Sequence, residues 1–93
     1  MPRTCPTCGQ ALENLVQEIR NMTTKNYLAA NLAAKMEVEL QAAIAEAKKD
    51  TQDLKLILGK LTAAKALVEG VTSARSLLPN FAETITLVKS HLP

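Results

Sequence analysis

Apolar residues recur every three or four positions over most of this chain, and that rhythm predicts helices. Within the longest run free of Gly and Pro, Leu28, Leu32, Met36, Leu40, Ile44 and Ala47 fall on one stripe, which predicts a helix over Thr24–Lys49. At 1.5 Å per residue its roughly 26 residues would form a rod of roughly 39 Å. Upstream, Leu12, Leu15, Val16, Ile19 and Met22 share a face over Gln10–Met22. Thr23 and Thr24 can cap the second helix with a hydroxyl. No Gly or Pro breaks that junction, so one continuous helix is the alternative.

The long helix is expected to end near Lys48 and Lys49, whose charge suits a C-terminus. Asp50 or Thr51 then caps a third helix, with Asp53 in its first turn. Leu54, Ile57, Leu58, Leu61, Ala64, Leu67 and Val68 form its apolar face. Gly59 is either a weak point or a place of close helix contact, and Gly70 is the stop. Thr72–Leu78 suggests a turn or two of helix, and Pro79 suits the first turn of a last one. Its face is Phe81, Ile85, Val88 and Leu92. The fold predicted is an all-α antiparallel bundle of about four helices in a single domain, 1–93, with a CxxC knuckle or turn at 1–9 and helices over 10–92.

Composition changes this picture in one respect. The chain has 93 residues, with one Tyr, one Phe and no Trp, so Ala and Leu must supply a thin core. Small scaffolds of this kind are commonly completed by association, which predicts a homo-oligomer, dimer or higher. The formal net charge is +2 with both signs interspersed, and few aromatics are present to stack on bases, so nucleic-acid binding is not indicated. The opening Met-Pro-Arg-Thr-Cys lacks the apolar core of a signal peptide, and no run of about 18 apolar residues suggests a membrane span, which together predict a cytoplasmic protein.

Candidate chemistry is confined to Cys5-Pro6-Thr7-Cys8-Gly9. Two residues between cysteines let both sulfurs face one tetrahedral ion at about 2.3 Å, and Gly9 permits a positive φ that would wrap the backbone around it. The segment resembles one knuckle of the zinc-ribbon and rubredoxin type, which implies Cys5 and Cys8 as zinc ligands. The second CxxC of a ribbon is missing. Either a second chain donates its pair, on the principle of the zinc hook in SMC-like DNA-repair ATPases, or His91 supplies a third ligand. A CxxC at a helix start can also act in thiol–disulfide exchange, although no βαβ pattern of a thioredoxin-like enzyme accompanies it.

Elsewhere the sequence points to structure rather than catalysis. Glu37, Glu39, Glu46, Glu69 and Glu83 read as a solvated face, the methionines as gap-fillers, Tyr27 as a half-buried anchor and His91 as an exposed end residue. Leu54–Leu92, with Lys55, Lys60, Lys65, Arg75 and Lys89 around it, has the pattern of helices that lie in a membrane interface. Through its Leu-Val-Glu-Gly-Val-Thr-Ser-Ala run at 67–74 it loosely resembles the helical tails of bacterial defence or effector proteins. The expected role is therefore a non-enzymatic interaction or regulatory module with a zinc-binding knuckle. A membrane-perturbing effector and a CxxC oxidoreductase are the alternatives.

Overall fold

The computed structural model describes residues 5–92; the first four residues of the expected 1–9 knuckle and Pro93 lie outside the described residues. Helix α1 spans Cys8–Thr24, α2 Ala30–Ala47, α3 Leu54–Glu69 and α4 Leu78–Ser90, with a 3₁₀ segment at Thr72–Leu77. No strand occurs among the described residues. The all-α bundle is as expected.

Helix α1 begins two residues before the expected Gln10 and buries Cys8, Leu12, Leu15, Val16 and Ile19. It stops because Asn26 takes a left-handed conformation, φ 65°. The Asn26 amide donates to the Thr23 carbonyl at 3.1 Å and the Tyr27 amide to that of Met22 at 2.9 Å. Together these bonds form the Schellman closure of a helix. Asn accepts this conformation more readily than most residues, so a break forms without Gly or Pro. The expected 24–49 rod is corrected to 18 residues, Ala30–Ala47, or about 27 Å. Thr23 and Thr24 are not caps of α2. They close α1, donating to the Ile19 and Arg20 carbonyls at 2.8 and 2.9 Å. The N-cap position of α2 is Ala29, which has no side-chain bond to give.

The cap of α3 also differs from expectation. Asp53 itself is the N-cap, its carboxylate accepting from the Leu56 amide at 3.1 Å. Leu54, Ile57, Leu61, Ala64 and Val68 form the buried seam of α3, while Leu58 and Leu67 only flank it. Gly59 meets nothing within 4 Å of an added Cβ, so it is a weak point rather than a close contact within the chain; against Ala it costs about 1 kcal/mol. Gly70 caps α3. Pro79 lies in the first turn of α4, as expected, and the buried face there is Phe81, Thr84 and Val88, with Ile85 and Leu92 partly buried. Thr84 is accommodated because its hydroxyl donates to the Asn80 carbonyl at 2.9 Å.

Each helix packs on two others, α1 on α2 and α4, α3 on α2 and α4, with the α2–α3 contact the most extensive. Two bonds between distant segments fix the alternating direction. At one pole Ser73 donates to the Tyr27 carbonyl at 2.6 Å, and at the other Cys5 meets Gln52. The buried residues form one cluster running from Cys5 to Val88. The radius of gyration is 12.8 Å, close to the roughly 12 Å of a compact domain this long. The thin core therefore closes within a single chain. The apolar stripe of residues 54–92 that would face a membrane is in large part this buried seam, and no helix is long and apolar enough to cross a membrane.

Candidate functional site: the cysteine pole

The pole is assembled from three segments: residues 5–9, the end of α2 and the 48–53 connection. Thr7 is the N-cap position of α1 and accepts the Ala11 amide at 3.0 Å, so Cys8 is the first helical residue. Gly9 lies inside the helix, and no described glycine has a positive φ. The wrapped knuckle expected after Cys8 is thus replaced by a helix start. α1 instead starts two residues earlier than expected, with Gly9 beside Ala47, where an added Cβ would sit 4.0 Å from the alanine Cβ.

Cys5 and Cys8 are joined as a disulfide, their Cα atoms 5.3 Å apart. They are 1% and 0% exposed. An incoming disulfide or ion needs an accessible thiolate, and in this state the pole offers none. Among the described residues no group of three or more His, Cys, Asp or Glu side chains could hold a metal. The route in which His91 adds a third ligand to Cys5 and Cys8 is therefore not formed among the described residues. His91 caps the end of α4.

Gln52 connects the pair to the rest of the bundle. Its Oε1 accepts the Cys5 amide at 2.7 Å, and its Nε2 donates to the Ala47 carbonyl at the end of α2. A longer contact of 3.5 Å runs from Nε2 to the Cys5 carbonyl. One side chain thus satisfies an orphan carbonyl at a helix end and holds the backbone of a residue 47 positions away. Nothing in the periodic pattern marks Gln52, because a connection residue carries no stripe.

Glu46 is the second element that the pattern misplaced. It was expected on the solvated face with Glu37, Glu39, Glu69 and Glu83, but it is 6% exposed. Burial is tolerated because Oε2 takes the Lys49 ammonium at 2.8 Å and Oε1 takes the Asp53 amide at 2.9 Å. The Lys49 bond, then the Asp53 amide, hold the Glu46 carboxyl below the usual carboxylate range against the opposing effect of burial. The same bond to Glu46 raises the Lys49 ammonium. Three other acids are paired: Glu37 with Arg20 at 2.7 Å, Glu39 with Lys60 at 3.5 Å and Glu69 with Lys65 at 3.9 Å. Tyr27 is 49% exposed, near the half-buried position expected.

No protein-family model, curated relative or solved structure matches this chain. The class defined by the fold is a four-helix bundle of alternating direction, with a cysteine pair at one pole.

Proposed function

We propose that the chain is a non-enzymatic helical interaction or regulatory module, and that the Cys5–Cys8 pair sets the order of its N-terminal pole. The observation that carries this reading is the bonding of Cys5 to Gln52 on the α2–α3 connection, which couples the sulfur pair to the joint between two helices. A thiol reductant, reaching the buried sulfurs when the N-terminal pole opens, supplies two electrons and two protons. The S–S bond breaks, each sulfur becomes a thiol, and the reductant is oxidised to its own disulfide. The disulfide closes a four-residue loop, which is worth about 2 kcal/mol on the loop-entropy relation. Reduction therefore loosens the pole and leaves the helices folded. A cytoplasmic setting keeps the pair reduced, so the disulfide marks oxidising conditions there.

The reduced pair is also the form competent for zinc, with Cys5 and Cys8 as two of four ligands. The resemblance of Cys5–Gly9 to a ribbon knuckle favours this second reading. Amide exchange across 46–53 separates the outcomes. Protection that falls on reduction supports the module, and protection regained with stoichiometric zinc in a native mass spectrum supports the metal form. Identical exchange in the oxidised and reduced chains would sink the proposed coupling.

A further inference from the structure

The contact of α1 with α4 is the least extensive of the four between helices. A hollow of about 250 Å³ opens along it, from Ala11 and Leu87 near the cysteine pole to Glu18 and Asn80 near the other. Leu15 and Thr84, both buried, form part of its wall. Glu18 and Glu83 line it from opposite helices, and neither is in an ion pair among the described residues. On its other side α1 borders a hollow of about 400 Å³ against α2. There the contact is more extensive, and it carries the opposite charges of Arg20 and Glu37 rather than two like ones.

The two ends of α1 are fastened differently. Near its C-terminal end the Asn80 amide donates to the Glu18 carboxylate, which ties α1 to α4 directly. At its start the tie runs elsewhere, through Cys5 and Gln52 to the α2–α3 connection. The α1–α4 seam is therefore held from outside at the cysteine pole and from within at the far end.

We infer that the α1–α4 seam is a gate and the Cys5–Cys8 disulfide its latch. The gate rests on the proposed role of the sulfur pair and names the movement that the pair regulates. In the oxidised chain the closed turn, bonded to Gln52, holds the start of α1 in place. A dithiol gives two electrons and two protons, closes to its own disulfide and leaves two cysteine thiols. The freed turn lets the start of α1 swing away from α4, pivoting where Asn80 holds Glu18, while α1 stays helical on α2. The seam parts there because local opening follows the least packed contact. Atoms beside a hollow lack partners for dispersion, and two like charges facing one groove oppose its closure.

Methyl nuclear magnetic resonance of the full chain with a neutral gadolinium chelate in solution tests the gate. In the oxidised chain the Leu15 and Thr84 methyls should keep their signals, as should Leu61 and Val68, which are buried on α3. After reduction by a dithiol, Leu15 and Thr84 should lose signal to the chelate while Leu61 and Val68 keep theirs. Asn80→Ala should deepen that loss, and Glu83→Lys, which sets a cation beside Glu18, should suppress it. Leu15 and Thr84 as protected as α3 in the reduced chain overturn the gate, and so does a loss shared by all four. A Glu83→Lys chain that behaves as the parent overturns it too. If the 46–53 amides respond to reduction while the seam stays shut, the gate alone fails and the proposed function stands. Amides that do not respond sink the function itself.

Discussion

Replacing Gln52 with Ala tests how the sulfur pair is fastened to the bundle. The substitution removes two hydrogen bonds, to the Cys5 amide at 2.7 Å and to the Ala47 carbonyl, and a marginal third at 3.5 Å. A net hydrogen bond is worth about 1 kcal/mol, and the full desolvation penalty applies only where water cannot reach the abandoned groups. The site is part-buried, so water replaces some of what is lost and the expected cost is about 1–2 kcal/mol. In a domain of this size that corresponds to a midpoint lowered by roughly 5–15 °C. Thermal unfolding followed by circular dichroism, in Gln52→Ala, in Cys5→Ser with Cys8→Ser, and in all three combined, completes a double-mutant cycle. If Gln52 acts by holding the closed turn, the effects are non-additive by at least about 0.5 kcal/mol. Additive effects, or a Gln52→Ala chain as stable as the parent, would refute the fastening.

Three further outcomes follow from the same coordinates. Gly9→Ala should raise stability by about 0.5 kcal/mol in urea unfolding, because the position is helical and the new Cβ meets Ala47 at an ordinary distance; a loss of 1 kcal/mol or more (roughly the left-handed penalty) would instead restore the wrapped knuckle. Asn26→Ala should cost about 1 kcal/mol while Asn26→Gly costs nothing, since φ is 65° there; a harmless Asn26→Ala would favour continuous α1 and α2. Glu46 is held below the usual carboxylate range, so its stabilisation is present above the unfolded value and is lost as pH falls through the lower folded one. Glu46→Gln should therefore flatten the acid limb of stability against pH, and superimposable profiles would contradict the pairing with Lys49.

Helix identity was legible in the apolar stripes because burial imposes them: Leu12, Leu15, Val16 and Ile19 on α1 and Leu54, Ile57, Leu61, Ala64 and Val68 on α3 were read correctly and are buried, whereas Leu58 and Leu67 are only partly so. Boundaries were less legible. The α1–α2 break depends on one Asn in a conformation that Gly usually takes, and α1 starts two residues earlier than expected, with Gly9 beside Ala47. The cap of α3 was placed early because Asp50, Thr51 and Asp53 share the same local chemistry, and only Glu46 at the Asp53 amide distinguishes them. At the pole, Cys5 and Cys8 announced themselves by spacing. Gln52 and Glu46 did not, because bonds across 47 and 7 residues leave no periodic trace.

The most direct test of the account is nuclear magnetic resonance of the Cys5 amide in oxidised and reduced chain. The account predicts a slowly exchanging amide with a cross-relaxation contact to the Gln52 side chain in the oxidised form, weakened on reduction. A freely exchanging Cys5 amide with no contact to Gln52 in the oxidised chain would contradict it.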